Sequence, residues 1–444
     1  MRRLSLQVVS TGRFVLAIAL VAFASLASAS AQVRGTIVGP SKNNYPIAIS
    51  PLKNLSAAGG KDIGAQFADI VARDLTLAGL FKVLDRTAYI EKPDASGINA
   101  EDINFDNWSV IGALALVKGG YTVEGDNLTI EAKLFDVYQR KQLAGKRYRG
   151  GMDLVRRMAH RFADEIMAQF TGERGPFDSR IAFVSTRDGR FKEVYVMSLD
   201  GGDLQQVTKS QSITVSPSWT PDARSLLFTS YKRGNPDLYQ LDLISGRETR
   251  ISQRAGLNLG GKMSPDGSTI AMALETDGSS DVVILDRSGE LVRRATDNWA
   301  IDVSPSWSPD GRQLAFCSNR GGGPQIFITS AEGGAARRIT STGDYNTAPA
   351  WSPKGDRIAY VSRSEGAFDI FTVKTDGSEP RQLTQGSGNN EDPSWSPDGR
   401  YILFSSSRRG HKKLFITDVG GVSQVELTQG GGDDTSPTWS GWRE

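Results

Sequence analysis

The chain has 444 residues, 39% of them apolar and 23% charged, and it carries 48 glycines. It is longer than one ordinary domain, too apolar for a disordered tail and too rich in glycine for a helical bundle, so several domains or a turn-rich repeat array are expected. Lys+Arg number 52 against 50 for Asp+Glu, and Arg2, Arg3 and Arg13 fall in the first 31 residues with no acid among them, so the remainder is nearly neutral and nucleic acid is disfavoured as a partner.

In chain order, residues 14–24 are an unbroken apolar run of 11 residues behind those three arginines, too short for a stable membrane span. Small residues follow, and Ala29-Ser30-Ala31 fits a cleavage site. Residues 1–31 are therefore predicted to be a signal peptide, with the mature chain starting at Gln32, exported and soluble. Arg2-Arg3 also fits twin-arginine export, but two arginines are ordinary in any leader. The single cysteine, Cys317, sits in the apolar run Gln313-Leu-Ala-Phe-Cys317; it has no partner for an internal disulfide, and its expected role is burial.

Residues 32–172 read as an α/β domain. Residues 46–51 suggest a short strand, and Ile63, Phe67, Ile70, Val71, Leu75 and Ala78 mark one face of a helix stopped by Gly79, with a second strand over 81–85. A turn at Gly125-Asp126-Asn127 joins residues 120–124 to an alternating strand carrying Leu128, Ile130, Ala132 and Leu134. Val155, Met158, Ala159, Phe162, Ile166 and Phe170 make the apolar face of a last helix, and residues 173–177 form the junction.

From there a repeat of 44 residues takes over. Trp219, Met263, Trp307, Trp351, Trp395 and Trp439 define one column. Glu193, Asp237, Asp281, Gln325, Asp369 and Lys413 define a second, and Thr208, Ser252, Thr296, Thr340, Thr384 and Thr428 a third. Each unit holds four strand-like runs separated by turns such as Ser308-Pro-Asp-Gly311, which is the pattern of a β-propeller blade. The tryptophans are expected to pack between blades. One repeat before Trp439 and its five predecessors would fall at Gly175, where no tryptophan segment stands, so the first blade lacks its own first strand. The segment 435–440 is predicted to supply it. The fold class is thus a two-domain chain, a small N-terminal α/β domain followed by an all-β six-bladed propeller over residues 177–444.

Catalytic chemistry finds little support. His160 and His411 have no metal partner at helical spacing, and neither a Gly-x-Ser-x-Gly elbow nor a phosphate loop occurs. The repeated Asp222, Asp266, Asp310 and Asp398 belong to turns. No metal and no cofactor are expected. The residue five before each position of the tryptophan column (Thr214, Asn258, Asp302, Asn346, Asn390 and Asp434) is polar in every unit. In a propeller these residues precede the innermost strands, so they suggest a slightly acidic docking face at one mouth of the channel, with Asp302 and Glu391 exposed. A trapped cation is the weaker alternative.

Leader, α/β domain and SPSWSPDG-type boxes in this order resemble the TolB family, the periplasmic propeller proteins of the Tol–Pal system of Gram-negative bacteria. The box alone also occurs in oligopeptidase propellers, which carry a hydrolase domain for which no residues remain here. The resemblance implies a periplasmic monomer with no enzymatic activity. It implies that the mouth binds Pal, the peptidoglycan-associated lipoprotein, which would hold the protein at the outer membrane, and that the mature N-terminus binds the C-terminal domain of TolA; together they would maintain outer-membrane integrity and support cell division. Carried onto this sequence, the Pal contacts are Leu257, Asn258, Gly260, Asp302, Val303, Asn346, Thr347, Asn390, Glu391, Asp434 and Thr435. The second box departs from the pattern with Gly261-Lys262-Met263. The TolA stretch is Gln32, Val33, Arg34, Gly35, Thr36, Ile37, Val38, Gly39 and Pro40. The competing reading is a propeller enzyme or carbohydrate-binding protein that uses the channel as its pocket.

Overall fold

The computed structural model describes residues 44–56, 62–276 and 278–443. The predicted leader and the stretch 32–40 lie outside the described residues. The first part is a sheet carrying helices: β1 (Tyr45–Ile49), β2 (Lys53–Asn54), α1 (Ile63–Leu77), β3 (Phe81–Val83), α2 (Phe105–Ser109), β4 (Ala115–Glu124), β5 (Asn127–Asp136), β6 (Lys141–Gly151) and α3 (Val155–Thr171). Asp62 opens α1 by accepting the Ala65 N–H, and glycines in the left-handed region end both long helices, Gly79 at φ 69° and Gly172 at φ 78°. The strand order is β3-β1-β4-β5-β6; β1 runs parallel to β3 and β4, and β4, β5 and β6 are antiparallel. α1 and α3 meet through Phe67 and Phe162, ring centroids 6.0 Å apart, both fully buried against the sheet.

The elements expected from periodicity are present, with the hairpin strands longer than expected. β6 was not legible. Its residues are half-buried or exposed with no clean apolar face, because it is the sheet's outer strand and carries Lys141, Lys146, Arg147 and Arg149 along an edge that such charges keep from pairing with other chains.

Six four-stranded sheets follow. Blade 1 consists of Asp434–Trp439, Arg180–Ser185, Glu193–Ser198 and Gln205–Gln206, in that order, so the last strand in sequence is the innermost strand of the first blade. The closure expected from the 44-residue spacing is therefore observed. Blades 2 to 6 begin with the inner strands Thr214–Trp219, Asn258–Met263, Asp302–Trp307, Asn346–Trp351 and Asn390–Trp395. Each inner strand is bulged at the same point, where Ser216, Gly260, Ser304, Ala348, Asp392 and Ser436 all have φ between 46° and 67°. The extra residue bends every inner strand at that point.

The tryptophan column stitches the ring. Trp219 donates its indole N–H to Thr438 O at 3.2 Å, Trp307 to Lys262 O at 2.9 Å and Trp395 to Ala350 O at 2.8 Å, each reaching the inner strand of the preceding blade. Cys317 is buried, as expected, and burial pushes its thiol above its ordinary value. One apolar cluster continues from α1 and α3 through Phe177, Ile181 and Tyr195 of blade 1 to Tyr401 and Leu403 of blade 6 and on to Trp439, so the two parts share a core. Tyr401 Oη completes the join by donating to Ala78 O at 3.0 Å.

Candidate functional site

The columns of Glu193 and of Thr208 meet the polar residues that open the inner strands. Between blades 4 and 5, Thr340 Oγ1 donates to Gln325 Oε1 at 2.7 Å and the Asn346 amide donates to the same oxygen at 2.8 Å. Between blades 5 and 6, Thr384 and Asn390 hold Asp369 in the same way, at 2.7 and 3.0 Å. The hydroxyl of that threonine also accepts the N–H at the start of the third strand, Ile326 at 3.1 Å and Ile370 at 2.9 Å. Every unit repeats this plug in some form because each blade must satisfy polar backbone where it abuts its neighbour.

The polar ring is therefore not a docking face. Thr214, Asn258, Asp302, Asn346, Asn390 and Asp434 are all fully buried. Asp302 accepts from Asn298 Nδ2 and Arg320 Nη2, both at 2.7 Å, and Asp434 accepts from Ser185 Oγ at 2.6 Å and Arg187 Nη2 at 2.9 Å. Arg187, Arg320 and Arg408 lie over the aromatic pairs Phe183–Tyr195, Phe316–Phe327 and Phe404–Phe415. The expected exposure of Asp302 is thus corrected: its carboxylate is held inside by an arginine that packs on rings, and reversing its charge would set two cations together. Glu391 is half-buried and pairs with Lys412. Of the expected contact residues, Leu257, Gly260, Val303, Thr347, Glu391 and Thr435 keep accessible surface.

One residue earlier in the repeat, the mouth is different. Ile213 is 50% exposed, Ile301 48% and Tyr345 37%, with Leu257 half-buried between them, and Trp299 stands out at 76%. These residues form an apolar arc across four consecutive blades. The corresponding positions in blades 6 and 1 are Asn389 and Asp433, and Asp433 accepts the Lys412 N–H at 2.9 Å beside His411. Exposed apolar side chains on neighbouring blades, bordered by charge, are the usual mark of a protein interface. It escaped the sequence reading, which looked for polar loop residues; the signal was a fourth column at the same period, apolar where a loop has no need to be.

A second assembly lies where the two parts join. His160 of α3 is fully buried, with Nδ1 2.7 Å from Asp74 Oδ2 of α1 and Nε2 3.6 Å from Asp200 Oδ1 in blade 1. Arg156 also binds Asp200. Burial alone would lower the imidazole pKa, but the Asp74 and Asp200 carboxylates outweigh it and raise it to about 10. Burial pushes the Asp74 carboxyl up and His160 partly offsets this; Asp200 is held at about 2, because His160 and Arg156 outweigh its own burial. Asp74 and Asp200 also line a cleft of about 660 Å³ between α1 and the propeller, together with Arg73, Leu77, Leu199 and Leu427. Among the described residues no group of His, Cys, Asp and Glu is placed to hold a metal ion, and no helix is long and apolar enough to cross a membrane.

The profile of the TolB beta propeller domain matches residues 167–443, and that of the TolB amino-terminal domain matches residues 33–143. The chain belongs to the TolB family. The protein named Tol-Pal system protein TolB in Desulfosudis oleivorans is 41% identical over 204 residues, and that of Geobacter sulfurreducens 41% over 197 residues. These matches span 46% and 44% of this chain and 46% and 45% of the relatives, so the chain spans about half the length of the curated relatives it matches. The crystal structure of TolB from Acinetobacter baumannii matches with a TM-score of 0.78 at 26% identity, covering 90% of this chain and 97% of that one. The TolB family thus accounts for both the sheet-and-helix part and the ring.

Proposed function

We propose that the protein is an exported, periplasmic binding component of a Tol–Pal system, without enzymatic activity, that docks Pal on the propeller mouth and the C-terminal domain of TolA on residues 32–40. The relatives' shared name supports the system. The observation that carries the docking is the apolar arc of Ile213, Leu257, Ile301, Tyr345 and Trp299, with Glu391 and Asp433 supplying charge at its polar end. Aromatic and branched side chains displayed on rigid strand ends lose little entropy on binding and give the large desolvated contact that dominates affinity, while the charged end selects orientation. The buried polar ring beneath acts by holding these positions in register.

Calorimetric titration against purified Pal tests this. Trp299→Ala and Ile301→Asp should each weaken binding by about tenfold or more, as loss of a central anchor does, with the melting temperature unchanged because both side chains are exposed. Unaltered affinity in both variants places the interface elsewhere. The two partners separate in a further truncation. Removing residues 32–39 should abolish TolA binding, leave Pal binding at or above its original value, and barely change the melting temperature; retained TolA affinity sinks the assignment of that stretch.

A further inference from the structure

Two apolar side chains of the α/β part face water. Val110, in the turn after α2, is 73% exposed, and Tyr138, in the turn between β5 and β6, is 64% exposed; among the described residues they are the most exposed large apolar side chains of that part. Both turns are held in place. The Val110 N–H donates to Asp106 O at 3.1 Å and the Val137 N–H to Leu114 O at 3.1 Å. Arg140, held at φ 54°, reaches from the hairpin turn to Asp106 Oδ1 at 2.7 Å. That ion pair is exposed and adds little stability, but it links the turn of Tyr138 to the helix that Val110 ends.

Exposed apolar residues scattered singly are ordinary, so their place in the fold carries the argument. This is the end of the sheet where β1 begins. Ile47 pairs with Ala115 in parallel register, Pro46 O accepts the Leu114 N–H at 3.0 Å, and Ala115 pairs in turn with Asp136 of β5. Carried back, that register sets Asn44 beside Gly112, two residues after Val110, with the turn of Tyr138 one strand further on, about 10 Å from β1 at the ordinary strand spacing. The stretch 32–40, read above as the TolA segment, is separated from Asn44 by residues 41–43 alone. Even fully extended, the path from Pro40 to Asn44 covers at most about 14 Å. A folded domain of about 100 residues has a radius of gyration of about 13 Å, so it is roughly twice as wide as this tether is long. Any such domain bound on residues 32–40 is therefore brought against this end of the sheet.

We propose that the sheet end marked by Val110 and Tyr138 is a second contact for the protein domain that binds residues 32–40, the C-terminal domain of TolA. The inference rests on the reading of residues 32–40 given above and adds a surface on the α/β part to it. The patch fits an apolar surface on the partner beside the point where the bound strand leaves it. Because the tether is so short, the second contact forms at high effective concentration, and two side chains suffice to add measurable affinity. Tyr138 and Val110 are suited to this, since few torsions are frozen when they are covered.

Calorimetric titration of the purified C-terminal domain of TolA compares three ligands: the protein beginning at Gln32, the same protein carrying Val110→Asp and Tyr138→Asp, and a synthetic peptide of residues 32–43. The protein should bind about tenfold or more tightly than the peptide, and the double variant should fall to the peptide's affinity with its melting temperature unchanged, because both side chains are exposed. Equal affinity of peptide and protein overturns the second contact and leaves residues 32–40 as the site. An excess affinity that persists in the double variant overturns the assignment of the patch. A peptide that does not bind, while the protein does, overturns the reading of residues 32–40 and the inference with it. Weaker binding by the protein than by the peptide, relieved in the double variant, would mean that residues 32–43 cover the patch themselves, and it too overturns the proposal.

Discussion

A protein ending before Gly432 should melt far below the full chain, with a loss of more than about 5 kcal/mol, because the deletion removes a central strand and not a tail. Asp434, Thr435, Thr438 and Trp439 pair with Ser185, Val184, Ala182 and Ile181, and without them the second strand of blade 1 has a bare edge. Trp439 is buried in the core shared with the α/β part, its indole N–H donating to Ser179 Oγ at 2.7 Å. Asp434 leaves Arg187 behind, and the residues after the strand leave the junction: Trp442 donates to Gly175 O at 2.7 Å and Arg443 to Asp178 Oδ1 at 2.9 Å. Trp439→Ala alone should cost about 3–5 kcal/mol. Urea unfolding followed by tryptophan-independent circular dichroism reads both changes, and a truncated protein melting within a degree or two of the full chain refutes the closure.

Replacing His160 by glutamine should destabilise the protein by about 3–5 kcal/mol, since it removes the cation between two buried carboxylates. Asp200 retains Arg156, whereas Asp74 loses its hydrogen-bonded partner. The pH dependence has a definite sign. The imidazole is raised in the folded protein to about 10, against about 6.5 for an unfolded chain, so its contribution is complete below about pH 6.5 and is lost as pH rises through 10. Asp164, buried at the same junction and pushed up to about 8 chiefly by desolvation, weakens the fold in the same direction as pH rises. The comparison of the two proteins therefore carries the test: between pH 6 and 9.5 the unmodified protein should lose stability more steeply than His160→Gln, and equal slopes would show that His160 is neutral when folded.

The ring was legible because it repeats. Three residue columns at one spacing fixed the number of blades, the tryptophan role and the closing strand, and the turn assignment of Asp310 holds, with Ser308 Oγ and the Arg312 N–H both on its carboxylate at 2.6 and 3.0 Å. What failed was exposure. Asn346 or Asp302 in a loop before a strand looks the same in sequence whether it faces water or a neighbouring blade, and only the hydrogen-bond partners in other columns decide. Asp302 is structural for the same reason as Asp310: a polar position that recurs around the ring serves the blade. The interface candidates are instead those whose character changes around the ring, from Ile213 to Asp433 on the rim. β6 and the bridging position of His160 stayed hidden for a related reason, since an edge strand has no buried face to declare and a histidine at the border of a helix face gives no hint of a carboxylate 86 residues away.

Closing the first blade with the last strand also sets an order in time. Ser185 and Asp434 hydrogen-bond across a separation of 249 residues, and Trp439 completes a core begun at Phe67. A growing chain can build blades 2 to 6 as they are made, from local hairpins, but blade 1 and its join to the α/β part must wait until nearly everything else has been synthesised. Until then the strand Arg180–Ser185 presents an open edge, a ready target for proteases and for mispairing. A product cut short at any point before Asp434 keeps that edge indefinitely, so the architecture marks its own incomplete copies for removal.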